Sequence, residues 1–171
     1  MIDTQTNDNT GTETLQTVPI SLTVNGRPWE GEIPVEEVLL DFLRYRLGMT
    51  GTKRSCESQI CGACTVLVDG GPVSSCSYFA FEANGRTVTS VEGLANGEQL
   101  TPLQEAFVRN VGAQCGYCTS GQLMAATGFL LEVEDKAPSY DQIAEWMNGN
   151  ICRCGCYPAI AQSVKEAAAG R

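Results

Sequence analysis

Residues 56–66 read Cys-Glu-Ser-Gln-Ile-Cys-Gly-Ala-Cys-Thr-Val, and the next cysteine follows at position 76. Around these cysteines, residues 51–64 show neither helical nor strand periodicity and contain several small side chains, which indicates a long loop. Small residues let backbone N–H groups approach sulfur ligands without steric conflict. The stretch therefore predicts a metal site built from four thiolates, three on the loop and one on the strand after it.

The spacing of these cysteines separates two kinds of metal site. Cys56, Cys61 and Cys64 have the C-x4-C-x2-C spacing of plant-type [2Fe-2S] ferredoxins, and Cys76 completes the set after eleven further residues. The alternative is zinc, whose structural sites normally use two short Cys-x2-4-Cys pairs. The spacing favours a [2Fe-2S] cluster.

A second quartet of cysteines lies in the other half of the chain. Cys115, Cys118, Cys152 and Cys154 read C-x2-C-x33-C-x1-C, with one pair at the start of a predicted helix and the other between two predicted helices. Taken alone, this quartet could hold zinc. The C-x-C pair is less usual for structural zinc, and a chain that already has a ferredoxin-type loop favours a second [2Fe-2S] cluster. Cys156, the ninth cysteine, is then spare and is predicted to be a small buried residue.

The composition excludes several classes of function. The formal charge of −9 would repel phosphate backbones and anionic membranes, so nucleic-acid binding is not expected. No apolar run reaches the roughly 18 residues of a membrane span. Histidine is absent, which removes Ser-His-Asp and Cys-His catalysis and imidazole-bound metal, and no catalytic residue is predicted. An odd cysteine count without an export signal argues against disulfides and predicts a cytoplasmic protein.

Periodicity along the chain predicts an α+β fold. Alternation around Asn25-Gly26 predicts a β-hairpin, and apolar spacing over 36–47 predicts an amphipathic helix that packs on it. Further strands are predicted at 65–68, 73–81 and 87–91. Four helices follow, at about 101–110, 119–133, 139–147 and 158–168, two of them with capping boxes. The predicted organisation is a disordered tail at 1–18, a ferredoxin-like domain at 19–95 and a helical domain at 96–171.

Three motifs carry a family resemblance. They are Cys-Gly-Ala-Cys-Thr-Val at 61–66, Gln-Cys-Gly-Tyr-Cys-Thr at 114–119 and Gly-Asn-Ile-Cys-Arg-Cys at 149–154. With them, the chain closely resembles the iron-sulfur subunit of the xanthine oxidase family of molybdenum hydroxylases over about residues 19–168. The resemblance implies an N-terminal β-grasp, plant-type ferredoxin-like domain followed by an all-α four-helix bundle, each with one [2Fe-2S] cluster.

The resemblance also implies partners and a direction of electron flow. A large subunit would bind the molybdopterin cofactor and hydroxylate aldehydes or N-heterocycles, and an FAD-binding medium subunit is common, with a dimer of heterotrimers as the implied assembly. The quartet of the helical domain would lie nearest the molybdopterin, with Gln114 beside that cofactor. Electrons would pass from there to the ferredoxin-like cluster and on to FAD or another acceptor. The chain would be part of an enzyme but not catalytic alone.

The chain departs from the family pattern at several positions near the ligands, among them the ending Cys-Gly-Cys-Tyr-Pro at 154–158, where Cys-Thr-Gly-Tyr is commoner. Ser55 and Gln59 stand where glycine is frequent, and Ser120 replaces the usual proline. The alternative functions are a free-standing ferredoxin-type carrier and a cysteine-rich zinc module. A lone ferredoxin does not need the helical half, which favours the subunit of a larger oxidoreductase.

Overall fold

The structure is a computed structural model that describes residues 15–134 and 137–170. Its first half builds a mixed sheet. The strands are β1 (Thr17–Val24), β2 (Arg27–Pro34), β3 (Thr65–Val68), β4 (Gly71–Ser74) and β5 (Thr87–Thr89). Their order is β2-β1-β5-β3-β4, in which β1 and β5 are parallel and the other neighbours are antiparallel. Strands followed by helices agree with the predicted α+β class.

The predicted β-hairpin is confirmed. Asn25 and Gly26 both have positive φ angles, 49° and 75°, as a two-residue turn between twisted strands requires. On β1 the alternate residues Ile20, Leu22 and Val24 are buried, so one face of the hairpin lies in the core.

The helix predicted over 36–47 is shorter than its apolar pattern. α1 (Leu39–Asp41) continues directly as a π-helical turn (Phe42–Arg46) whose inner side chains are fully buried. Val38 is instead extended, with ψ of 151°, and forms a bridge with Phe79. This pairing keeps the residues before α1 out of the helix.

Two other predicted elements end earlier than expected. The strand predicted over 73–81 begins at Gly71 and ends at Ser74, because a turn follows in which the Ser77 N–H bonds the Ser74 carbonyl. The strand predicted over 87–91 ends at Thr89 and is followed by a 3-10 turn (Val91–Gly93). Most of the tail predicted at 1–18 lies outside the described residues, but β1 already begins at Thr17.

The second half is helical. Its helices are α2 (Pro102–Arg109), α3 (Thr119–Glu132), α4 (Tyr140–Met147) and α5 (Tyr157–Ala169). The predicted capping boxes of α2 and α4 are confirmed: Thr101 pairs with Gln104 and Ser139 with Gln142. Within the described residues, no helix is long and apolar enough to cross a membrane.

The two halves have separate hydrophobic cores and meet along α3. Gly128 of α3 lies against the Pro72 and Leu67 side chains, and Gly121 lies against the backbone of Gly62. Glycine at these positions allows α3 to approach β3, β4 and the cysteine loop closely. The second half is therefore packed directly on the loop that carries the first quartet.

Candidate metal centres

The first quartet falls into two neighbouring pairs. Cys56 is exposed, and the N–H groups of Ser58 and Cys61 lie 3.5 and 3.4 Å from its sulfur. These hydrogen bonds, that of Ser58 first, lower the pKa of the Cys56 thiol to about 6. Backbone donors aimed at sulfur stabilise the thiolate, which is the form that binds iron.

The other pair is brought together by the β3–β4 hairpin. Cys64 directly precedes β3, and Cys76 follows β4 by one residue, so the antiparallel pairing of Thr65 with Ser74 places both cysteines at the same end. Cys64 is buried, and burial, with the neighbouring Cys76 thiol, raises its pKa to about 11. Without metal the Cys64 thiol is protonated, and iron binding would release that proton.

The loop that carries Cys56 and Cys61 has a strained backbone. Glu57 and Gln59 have φ angles of 55° and 61°, in the left-handed region that favours glycine. Gln59 is one of the positions where the family frequently has glycine, and its φ angle gives the reason for that preference. Such a conformation costs on the order of 1 kcal/mol or more in a residue with a side chain.

The second quartet also consists of two pairs, and each pair joins two separate segments. Cys118 is the N-cap of α3, and its thiol neighbours that of buried Cys152 in the α4–α5 turn. Burial, then Cys152, raises the pKa of Cys118 to about 12. Burial alone would raise the pKa of Cys152 as well, but the Cys156 N–H, 3.4 Å from its sulfur, and the Cys118 thiol lower it.

Cys115 and Cys154 form the remaining pair. The Tyr117 N–H and then the Cys154 thiol lower the pKa of exposed Cys115. Gln114, the residue expected to face a partner's cofactor, is exposed beside this pair. The structure thus brings Cys64 to Cys76, and joins the four cysteines of the second quartet, across segments that are distant in the sequence.

Cys156 lies at the N-cap of α5 and is buried, as predicted for the spare cysteine. Its thiol neighbours that of Cys152, and burial, followed by that neighbour, raises its pKa. Its backbone N–H is the donor to the Cys152 sulfur. In this structure Cys156 therefore meets Cys152 through both its thiol and its backbone N–H.

The donor set fits [2Fe-2S] clusters. Every predicted ligand is a cysteine, and backbone N–H groups point at the Cys56 and Cys152 sulfurs, as they do around iron-sulfur centres. Among the described residues, no three Cys, Asp or Glu side chains are grouped so that they could hold one metal ion. A two-iron cluster shares four thiolates between two metals, so neighbouring pairs suffice.

Some residues around the centres were not predicted from the sequence. Asn150 and Gln122 are buried between the quartets and bond the loops that carry them. The phenol oxygen of Tyr157 accepts a 2.8 Å hydrogen bond from the Cys152 N–H. Asn150 belongs to the motif at 149–154. A single polar residue has no periodicity, so the sequence does not show that its side chain is buried and hydrogen-bonded.

Two families of iron-sulfur domains match the chain. The family described as 2Fe-2S iron-sulfur cluster binding domain matches residues 22–95, and the family described as [2Fe-2S] binding domain matches residues 90–165. Fold, cysteine geometry and these matches define an electron-transfer protein that binds iron-sulfur clusters.

Similar proteins narrow this class. The aldehyde oxidoreductase iron-sulfur-binding subunit PaoA of Escherichia coli K12 is 41% identical, over 88% of this chain and 72% of its own length. The nicotine 6-hydroxylase small subunit of Paenarthrobacter nicotinovorans is 44% identical, over 88% of this chain and 89% of its own. Quinoline 2-oxidoreductase from Pseudomonas putida 86 has a chain of similar structure, with a TM-score of 0.81 and 43% identity, covering 91% of this chain and 98% of that one.

The chain therefore belongs to the iron-sulfur subunits of the xanthine oxidase family of molybdenum hydroxylases. It is the electron-transfer subunit of a multi-subunit oxidoreductase. The resemblance seen in the three cysteine motifs is confirmed.

Proposed function

We propose that the chain holds two [2Fe-2S] clusters, one on each quartet. The ligands of the first are Cys56, Cys61, Cys64 and Cys76. The ligands of the second are Cys115, Cys118, Cys152 and Cys154. The observation that carries this proposal is the meeting of cysteines within each quartet: the thiols of Cys64 and Cys76, of Cys118 and Cys152, and of Cys115 and Cys154 are neighbours, and the Cys61 N–H donates to the Cys56 sulfur. Each iron of a [2Fe-2S] cluster takes two protein ligands, so cysteines that meet two by two suit such a cluster.

We infer that electrons enter through the helical half and leave through the ferredoxin-like half. The second quartet lies beside exposed Gln114, Tyr117 and Ile151, a surface suited to a partner that carries the molybdopterin cofactor. Bound clusters supply one-electron storage at each quartet. The chain's own residues supply the thiolates, the N–H groups that stabilise negative charge on sulfur, and a packed medium between the two sites.

The partners follow from the same reasoning. A large molybdopterin-binding subunit performs the hydroxylation, on an aldehyde or an N-heterocycle as the names of the similar proteins suggest, and an FAD-binding medium subunit accepts the electrons. The arrangement is a dimer of such heterotrimers. Nine free cysteines, eight of them ligands, suit the reducing cytoplasm.

Within the chain, each cluster belongs to its own domain, and the boundary between the two domains lies near residues 95 and 96. The part from 19 to 95 is a β-grasp domain that holds the first cluster. The part from 96 to 171 holds the second cluster on a four-helix bundle made of α2 to α5, whose shared apolar core supports this reading.

Metal analysis tests the proposal. The full chain, expressed with adequate iron, is expected to hold about four iron and four acid-labile sulfide atoms, as two clusters of this type require. Partial reduction is expected to give two distinguishable paramagnetic signals. Stoichiometric zinc in place of iron contradicts the cluster assignment.

The division of labour is tested by purification and assay. A tagged chain expressed with its neighbouring genes is expected to bring down a molybdenum-containing subunit, and substrate oxidation is expected only in that complex. The isolated chain lacks a molybdenum site and a histidine base. Turnover by the rigorously isolated chain would overturn the assignment.

A further inference from the structure

Asn150 is a buried polar side chain that lies between the two cysteine-bearing loops. It is 7% exposed, and its Nδ2 donates to the Gly62 carbonyl at 2.9 Å and to Thr65 Oγ1 at 3.3 Å. Gly62 lies between Cys61 and Cys64. One side chain from the α4–α5 turn thus bonds both the loop of the first quartet, at Gly62, and the first residue of β3, Thr65.

The backbone on both sides of this side chain is held as well. The carbonyl of Asn150 accepts a 3.0 Å hydrogen bond from Nε2 of Gln122, a side chain that is 1% exposed on α3. The next residue, Ile151, donates its N–H to the carbonyl of Cys61 at 2.9 Å. Ile151 precedes Cys152, so this bond joins a segment of one quartet to a segment of the other.

The two loops are closely packed at Gly62, where there is no room for a side chain. Gly62 has a φ angle of 68°, and a Cβ there would collide with the Asn150 carboxamide and the carbonyl of Gly149. A Cβ on Gly121 of α3 would collide with the same Gly62 carbonyl that Asn150 bonds. The loop of the first quartet is therefore packed against both α3 and the segment that leads to Cys152.

We propose that Asn150 is a positioning residue that fixes the separation of the two cluster-binding loops and thereby the rate of electron transfer between them. The proposal rests on the ligand sets proposed above. Electron tunnelling falls steeply with the distance between two centres, so a loop that drifts slows transfer even when both clusters remain bound. A buried amide that bonds two loops suits this role because leaving its partners unpaired is unfavourable.

The test uses Asn150→Leu, which keeps the approximate size of the side chain but has no donor. Asn148→Leu is the matched control, because Asn148 lies two residues away and is exposed. Both variants are made in the full chain and purified with the subunits that accompany it. Iron content, the magnetic splitting between the two reduced clusters and the rate of intercluster transfer are measured for each.

The magnetic splitting distinguishes a change in the position of the clusters from a loss of stability. Dipolar coupling falls with the cube of the distance between the paramagnetic centres, so the splitting reports that distance directly. Asn150→Leu is expected to keep four iron per chain, to lose the resolved splitting and to transfer electrons more slowly, whereas Asn148→Leu behaves like the unmodified protein. Full iron with unchanged splitting and rate in Asn150→Leu would overturn the proposal.

A second variant covers the case in which Asn150→Leu does not take up iron. Gln122→Met removes only the donor to the Asn150 carbonyl, and a weaker splitting with full iron supports the proposal while an unchanged one overturns it. An error in the proposed ligand sets is recognised separately, because the unmodified chain would then bind fewer than four iron atoms.

Discussion

Gly121 lies in the first turn of α3, where the helix touches the backbone of the first cysteine loop. A Cβ built there would meet the Gly62 carbonyl and would lie 3.0 Å from Ala63 Cα. These contacts are backbone atoms, which cannot rotate away as a flexible side chain can. Gly121→Ala must therefore move either α3 or the loop between Cys61 and Cys64.

The size of the effect follows from two opposing contributions. Overpacking of this kind lowers the free energy of unfolding by about 1–3 kcal/mol. Replacing glycine by alanine inside a helix raises it by about 1 kcal/mol, because alanine has the higher helix propensity. The difference is a loss of about 0–2 kcal/mol of folding free energy, and the backbone clash puts Gly121→Ala at the upper end of that range. A loss of about 2 kcal/mol lowers the melting temperature of a chain of this size by roughly 4–8 °C.

Gly128→Ala provides the control on the same helix. Its Cβ would lie 3.1 Å from Pro72 Cδ and 3.3 Å from Leu67 Cδ2, so its neighbours are side-chain atoms that can yield by a few tenths of an ångström. The small strain and the helix-propensity gain then nearly cancel. Thermal melts followed by circular dichroism, made anaerobically on iron-loaded protein, compare the two variants.

The visible absorption of the first cluster gives an independent readout, because only Gly121→Ala displaces its ligand loop. Equal melting temperatures for the two variants, together with an unchanged visible spectrum for Gly121→Ala, would refute the close packing of α3 on the loop. If Gly128→Ala lowered the melting temperature as much as Gly121→Ala, the distinction between backbone and side-chain neighbours would also be contradicted.

Three further predictions concern the cysteine loops. Cys154→Ser is expected to lose or distort the helical-half cluster, since a hydroxyl is a poorer iron ligand than a thiolate, and to leave about two iron atoms per chain; full iron with two normal signals would exclude Cys154 as a ligand. Cys156→Ser is expected to keep both clusters, because the other eight cysteines complete the two proposed ligand sets and the substitution keeps the backbone N–H that donates to the Cys152 sulfur. Loss of half the iron would show that the C-terminal ligands are mis-assigned. Gln59→Gly is expected to stabilise the protein by about 1 kcal/mol because it relieves a φ angle of 61°; a lower melting temperature in that variant would argue that the Gln59 side chain makes a contact worth more than the strain.

Local patterns in the sequence predicted the elements whose causes are local. The Asn25-Gly26 turn and the capping box of Thr101 with Gln104 depend on residues within a few positions of each other, and the structure has both. The start of α1 was predicted too early, because a contact with a distant part of the chain sets where this helix begins. Val38 forms a β-bridge with Phe79. The residues around position 38 contain no pattern that predicts this distant partner.

The sequence by itself determined the kind of chemistry, because ligand type and spacing are properties of the chain: thiolates, no histidine, and two quartets with different intervals. Only the tertiary structure decided how the two quartets are held relative to each other. Asn150 reaches Gly62 across 88 positions, and Gly121 is required because a helix from the other half lies against that same carbonyl. Such contacts depend on the packing of whole elements, which the spacing of residues along one segment does not encode.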